Sequence, residues 1–435
     1  MFKRFMPLLL SVLVLLACGL PSAVTETTAP PGSPTPAPVE ATVTATLPTD
    51  MPGQGEPPTS TAQPPSGVPI AHFPAGQSIK ITFIKMLDGA QGWAIGGLNG
   101  NSDHVFRTSD GGLTWKDITP PEPTPVDPQT SHKAIGYFMD AQKAWAAFYT
   151  DVFGIGSPPA QDYVWYTTDG GATWNYSGLT EPALYGNEAY IPSDLSFVDA
   201  QHGWMMAHVG AGMNHDYFAL LATTDGGVTW KTLISPYDDN SGTQGGSKSG
   251  LVFITPQDGW MTVDYHGVVA IPYYFKTQDR GATWESVNLP APSAAPNLFD
   301  QNHSFCDMTP PIFFTATSVD LVLNCTQYAT DPSTQQSFLY ETTDGGGSWN
   351  TYAYPGGPLQ FIGTQTAFAL GRNIKRSADA GHTWLPVKTI NWDGQFSFVD
   401  ANMAWAVATD NGQIALVKTT DGGVTWQEIK PKIAP

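Results

Sequence analysis

The chain predicts an all-β fold, a seven-bladed β-propeller of four-stranded antiparallel blades, reached through a secretory signal and a tether. Three observations predict it. The pattern Ser/Thr-x-Asp-x-Gly-x-Ser/Thr-Trp occurs seven times without a mismatch. A looser pattern ending in Gly/Ala-Trp precedes most copies. The 435 residues hold 44 Gly, 38 Pro and 14 Trp with only 13% charged residues, a composition of short strands and tight turns rather than of helices.

The seven copies run over 108–115, 167–174, 223–230, 277–284, 342–349, 377–384 and 419–426. Their aspartates are Asp110, Asp169, Asp225, Asp279, Asp344, Asp379 and Asp421, and their tryptophans Trp115, Trp174, Trp230, Trp284, Trp349, Trp384 and Trp426. The second pattern reads Asp88-Gly-Ala-Gln-Gly-Trp93, Asp140-Ala-Gln-Lys-Ala-Trp145, Asp199-Ala-Gln-His-Gly-Trp204, Thr255-Pro-Gln-Asp-Gly-Trp260 and Asp400-Ala-Asn-Met-Ala-Trp405. Each unit therefore reads as a strand, a tight turn, a strand opened by Gly/Ala-Trp, a variable loop, a third strand, an Asp-Gly turn and a fourth strand opened by Trp. Glycine in the second turn supplies positive φ, its aspartate accepts backbone N–H groups, and the tryptophans bury area between blades. One such unit cannot cover both its faces, and a closed ring of seven does. The expected blades are 78–119, 134–178, 193–235, 249–290, 304–354, 358–389 and 395–430. Blade five lacks the Gly-Trp signature and blade six is the shortest.

The seven octapeptides resemble the Asp-box, or BNR, repeat shared by sialidases, xyloglucan-type hydrolases, sortilin-like receptors and photosystem II stability/assembly factor propellers. The pairing with the DAQxGW-like repeat looks most like the last group, over about 355 residues of ring. The resemblance implies the fold and a structural role for the box aspartates, and it implies no chemistry. That group's arginine surface patch has no counterpart here. Beyond residue 18 the arginines are Arg107, Arg280, Arg372 and Arg376, and residues 69–435 carry 17 basic against 34 acidic side chains.

The chain divides into 1–17, 18–68 and 69–435. Lys3 and Arg4 precede an apolar run ending in Leu15-Leu16-Ala17-Cys18, which looks like a bacterial lipobox and implies cleavage before Cys18, lipidation of Cys18 and an address on the extracytoplasmic side of a membrane. An ordinary secretory signal is the alternative. Residues 21–68 hold 12 Pro and 10 Thr, and 19–68 hold no aromatic, Lys or Arg. Such a segment is too apolar-poor to form a core and reads as a disordered stalk, reaching on the order of 100 Å if extended. Cys306 and Cys325 fall in neighbouring expected strands, and export permits a structural disulfide between them.

The formal net charge of −19 opposes nucleic-acid binding. A sialidase needs three arginines around the substrate carboxylate, and Arg107, Arg280 and Arg376 lie in or beside Asp boxes. Another glycosidase needs two carboxylates about 5–5.5 Å apart or wider. Asp151, Glu188, Asp216 and Asp264 are eligible by position alone. His208, His215, Asp216, Asp264 and His266 show no zinc-type ligand spacing, so no metal, cofactor or catalytic residue is nominated.

If strands run outward from the axis, both repeat turns share one face, and the second-to-third-strand loops share the other with the blade connections. The long insertions all fall on that second face, mostly over blades two to five, where a rigid scaffold places recognition. The candidate binding residues are Tyr149, Tyr185, Glu188, Tyr190, His215, Asp216, Tyr217, Asp264, Tyr265 and His266. Aromatic and acidic, they suit an extracytoplasmic or membrane protein, or a glycan, better than an anion. The expected function is a surface-anchored, non-catalytic binding or assembly platform; the alternatives are a glycan-acting hydrolase or lectin and a purely structural envelope protein.

Overall fold

The computed structural model describes residues 67–124, 130–150, 163–177, 191–212, 215–236, 241–243, 245–264, 271–299, 304–327 and 334–435. Every named element among them is a strand, and no helix there is long and apolar enough to cross a membrane.

Blade one is β1 (Lys80–Met86), β2 (Gly92–Gly97), β3 (His104–Thr108) and β4 (Thr114–Asp117). Blade two is β5 (His132–Phe138), β6 (Ala144–Thr150), β7 (Val164–Thr167) and β8 (Asn175–Tyr176). Blade three is β9 (Ile191–Phe197), β10 (Gly203–Gly212), β11 (His215–Thr223) and β12 (Lys231–Ile234). Blade four is β13 (Ser247–Phe253), β14 (Gly259–Asp264), β15 (Tyr273–Thr277) and β16 (Glu285–Asn288). Blade five is β17 (Ser304–Met308), β18 (Ile312–Phe313), β19 (Val319–Gln327), β20 (Thr334–Thr342) and β21 (Asn350–Tyr354). Blade six is β22 (Leu359–Ile362), β23 (Thr366–Ala369), β24 (Asn373–Ser377) and β25 (Leu385–Thr389). Blade seven is β26 (Asp393–Phe398), β27 (Ala404–Asp410), β28 (Gln413–Thr419) and β29 (Gln427–Ile429). Each blade is an antiparallel meander whose strands pair in chain order, and first strands of neighbouring blades touch where β26 meets β1, β5 meets β9 and β9 meets β13, as inner strands of a ring do. The protein is a seven-bladed β-propeller.

Two features depart from the repeat. The first strand of blade five is split, because Pro310 and Pro311 between β17 and β18 have no N–H to give a ladder. A last strand, β30 (Lys432–Ile433), joins blade one parallel to β4, pairing Lys432 with Thr114 and Ile433 with Trp115. Ile433 also donates its N–H to the Gln77 carbonyl and accepts the Gly76 N–H, and the Pro431 carbonyl accepts the Ile79 N–H, so this segment fastens onto the beginning of the ring.

The octapeptide turns are built alike. In blade three, Asp225 Oδ1 accepts the Thr223 hydroxyl at 2.8 Å and the Thr229 N–H at 2.9 Å, and its Oδ2 accepts the Thr229 hydroxyl at 2.6 Å. Thr223 Oγ1 in turn accepts the Gly227 N–H at 2.9 Å. Gly226 and Gly227 hold φ of 75° and 94°, the left-handed backbone that the Asp-Gly-Gly sequence tolerates. In the first turn, Asp199 Oδ1 accepts the N–H groups of Gln201 and His202. In blade five the same work falls to Thr315, whose hydroxyl accepts the N–H groups of Thr317 and Ser318. The first turn survives there without an Asp-Ala-Gln sequence.

These turns meet across the seams. The second-strand tryptophan of one blade stacks on the phenylalanine closing the first strand of the next: Trp145 on Phe197 with centroids 3.8 Å apart, and Trp204 on Phe253 at 3.5 Å. Its indole N–H donates to an octapeptide carbonyl of that next blade, from Trp145 to Gly226 at 2.7 Å, Trp204 to Arg280 at 2.8 Å and Trp405 to Gly111 at 2.8 Å. The glycine before the tryptophan is required where it lies over its own blade's phenylalanine; a Cβ at Gly203 would sit 2.2 Å from the Phe197 ring. The core is thus a series of inter-blade layers.

Candidate functional site

Antiparallel pairing puts the first-to-second and third-to-fourth turns on one face and the second-to-third hairpins on the other. On the latter face the middle strands of blades three and five are extended: β10 and β11 have 10 and 9 residues, β19 and β20 have 9 each, while β14 and β15 between them have 6 and 5. Two ribbons therefore rise on either side of blade four.

Both ribbons are stapled near their bases. In blade five, Cys306 and Cys325 face each other in the β17–β19 register and are joined by a disulfide. In blade three, the strand shifts register between His208 and Gly210, and the His208 Nδ1 lies 2.8 Å from Asp216 Oδ1 on the facing strand. The other oxygen of Asp216 accepts the backbone N–H of Lys248 in blade four at 3.0 Å. Asp216 is nearly enclosed, with 7% of its side chain exposed against 24% for His208. A carboxylate at this distance accepts the Nδ1–H and fixes the orientation of the ring.

Two further ionisable groups complete this corner. Asp194 on β9 has its carboxyl raised by burial, opposed by the Ser193 hydroxyl at 3.0 Å and by the nearby His208. Lys248 is buried and brought down to about 8 by desolvation, with Asp216 acting in the opposite direction. Its ammonium donates to the carbonyls of Gly245 and Gly246 at 2.9 Å each and lies 5.1 Å from the Phe218 ring and 5.8 Å from Phe275. The consecutive left-handed backbone at Gly245 and Gly246 presents those carbonyls. Lys248 is therefore a fastening between blades three and four.

The structure brings Asp216, Tyr217 and Asp264 to this face: Tyr217 is 40% exposed, and Asp264 ends β14 opposite Ser247. Tyr149 lies apart in blade two, opposite Lys133 on β5. The backbone of His215 opens β11 opposite Gly212. Tyr185, Glu188, Tyr190, Tyr265 and His266 lie outside the described residues, as do Asp151 and Cys18. Sequence reasoning passed over Lys248 and Asp194. The available signal was a charged residue inside each first strand, where neighbouring blades leave little room for one. Among the described residues no group of three or more His, Cys, Asp or Glu can hold a metal ion.

No family model matches the chain, and no curated protein does. Solved structures do. A Mycobacterium tuberculosis puromycin-hydrolyzing peptidase is similar at 12% identity and a TM-score of 0.50, over 86% of this chain and 57% of that one. YCF48 bound to D1 peptide is similar at 14% identity and 0.45, over 81% and 97%. A six-bladed fungal lectin from Aleuria aurantia, with a fucose recognition mode, is similar at 12% and 0.36, over 83% and 98%. At these identities the likeness is one of propeller fold.

Proposed function

We propose that this chain is a lipid-anchored envelope protein, held through Cys18 outside a membrane, whose propeller is a non-catalytic platform that binds or assembles another protein. The binding face is the one carrying the extended hairpins of blades three and five. The observation that carries this reading is the pair of stapled ribbons, held by Cys306–Cys325 and by His208–Asp216–Lys248, on the face free of the repeat turns. Rigid loops presented by a scaffold are what recognition requires, and stapling lowers the ordering cost of binding. The octapeptides serve as structural Asp-box turns in this reading.

A glycan-acting reading has one observation in its favour, the raised Asp194 carboxyl beside His208, the kind of acid that protonates a leaving group. Site-specific photo-crosslinking in membranes separates the two. A crosslinker at Tyr217 is expected to yield one discrete protein adduct, and one at Leu113, exposed on the opposite face, none. Adducts from Leu113 alone would overturn the face. No protein adduct from either, with cleavage of envelope glycan that Asp194→Asn abolishes, would replace the platform by the hydrolase.

A further inference from the structure

In six of the seven blades the second-strand residue that pairs with the residue before the octapeptide is an aromatic ring: Trp93, Trp145, Trp204, Trp260, Phe368 and Trp405. In four, a cation on the third strand lies over that ring: Arg107 at 4.9 Å, Lys276 at 4.8 Å, Arg376 at 5.6 Å and Lys418 at 4.4 Å. Arg107 and Lys276 reach on to octapeptide carbonyls of the next blade, Gly170 and Gly345. Ring and cation together form a clasp between neighbouring blades.

Blade five has neither half of the clasp. Asp320 stands at the ring position, 3% exposed, and Glu341 faces it across the β19–β20 register where the cation belongs. Blade six supplies the complement, because His382 of its octapeptide turn brings Nε2 to 3.3 Å from Glu341 Oε2. Tyr352 on β21 stacks on the His382 imidazole at 3.9 Å and bonds Glu341. The remaining charge facing His382 is Asp379 on its own turn. The apolar layer at this seam is thin: four buried side chains, Val322, Leu339, Tyr354 and Ala369, against twelve between blades three and four. Trp384 beside it has its indole N–H buried without a partner.

We propose that the seam between blades five and six is a proton-operated latch, closed while Asp320 holds its proton and loosened when that proton leaves. With the proton present, Asp320 meets Glu341 as a neutral carboxyl, and Glu341 is left to His382 of blade six. With it gone, two carboxylates stand on facing residues inside blade five and repel each other, which pulls Glu341 away from its contact with blade six. Burial first, and Glu341 second, raise the Asp320 carboxyl to about 7. A carboxyl raised above its unfolded value is without penalty in acid and costs stability as pH rises through that folded value. The latch is therefore closed in mild acid and opens across neutrality.

Hydrogen exchange on the full chain at pH 5.5 and 8.0, corrected for intrinsic rates, tests this. Amides of β21, β22 and 377–384 are expected to lose about tenfold or more in protection at the higher pH, while the other seams change together and less. Asp320→Asn is expected to abolish the difference. Uniform change at all seams, or an undiminished difference in Asp320→Asn, overturns the proposal. Should that variant not fold, infrared spectra of the unmutated chain decide instead. A buried protonated-carboxyl stretch must be present at pH 5.5 and vanish by pH 8.0, and its absence or persistence overturns the latch.

Discussion

Replacing Trp204 tests whether the seams hold the ring together. The indole is 1% exposed, lies parallel to Phe253 with centroids 3.5 Å apart, and donates to the Arg280 carbonyl at 2.8 Å. Trp204→Ala removes the whole ring and the hydrogen bond. A buried aromatic cut to alanine costs about 3–5 kcal/mol, and loss of a neutral hydrogen bond adds about 1 kcal/mol. The β-sheets on either side are hydrogen-bonded blades that cannot collapse into the space, which favours the upper end, about 5 kcal/mol. Trp204→Phe retains the stack and loses the donor and part of the area, for about 2 kcal/mol. Urea unfolding followed by far-UV circular dichroism reads both without relying on tryptophan emission, and the midpoints must fall in the order wild type, Phe, Ala. Leu385→Ala, at a side chain 72% exposed, is the reference. If Trp204→Ala lowers the midpoint no more than Leu385→Ala does, the inter-blade layers are not what stabilises the ring.

Three further outcomes follow from the same structure. The octapeptide carboxyls are depressed, those of Asp169, Asp379 and Asp421 to about 2, first by the hydroxyls of Thr173, Thr383 and Thr425. Depressed carboxyls stabilise the fold above their unfolded value and lose that contribution as pH falls towards the folded one. The urea midpoint should therefore drop between about pH 4 and pH 2, and Asp169→Asn should differ from wild type at pH 7 and converge with it at the acid end. Changing both Cys306 and Cys325 to serine releases a loop with a sequence separation of 19 and should lower stability by about 3 kcal/mol, read as a midpoint shift that reductant reproduces in wild type. Lys248, brought down to about 8, binds its proton less well folded than unfolded. Wild type should therefore gain stability relative to Lys248→Met as pH rises from about 8 to about 10, a trend visible in paired denaturation curves.

The ring was legible because its chemistry is local and repeated. An aspartate that bonds a hydroxyl two residues before it and an N–H four residues after it leaves its pattern in eight consecutive letters, and the tryptophan that follows marks the fourth strand. Blade five shows where this ends. Thr315, like Thr255 in blade four, makes the bonds that Asp88, Asp140, Asp199 and Asp400 make in blades one, two, three and seven, so the turn is retained while its letters change. Strand β30 was not legible at all, because Lys432 and Ile433 pair with residues more than three hundred positions away and carry no local signal. The corner around His208 was half visible. The histidine and Asp216 stand out near a loop, whereas Asp194 and Lys248 lie inside first strands and matter through neighbours in other strands. Asp320 is the sharpest case: the missing Gly-Trp marked blade five as irregular, and only the ring's geometry shows what that irregularity faces.

The two faces should differ in how much change they tolerate, and an insertion measures it. On the repeat face a third-to-fourth turn has two clients. It closes its own blade through the aspartate, and it offers a carbonyl to the indole of the preceding blade, as Gly226 does to Trp145. Four extra residues after Gly226 displace that carbonyl, leave the Trp145 N–H buried without an acceptor and break the hydroxyl–carboxylate set at Asp225, a loss of about 3 kcal/mol or more. On the opposite face the β27–β28 hairpin turns at Asn411 and Gly412, with φ of 47° and 76°, and joins its own two strands. Four residues inserted after Asn411 exchange a tight turn for a longer loop, and since each doubling of loop length costs about 0.6 kcal/mol, the expected loss is about 1 kcal/mol. Urea midpoints of the two insertions compare them directly. Equal losses would mean that the repeat turns are not coupled across the seams, and the case for placing recognition on the other face would fall with that coupling. A large loss at Gly226 against a small one at Asn411 fixes the reason: the repeat turns are tied to the preceding blade through its indole, as at Gly226, Arg280 and Gly111, and the hairpin at Asn411 has no such tie.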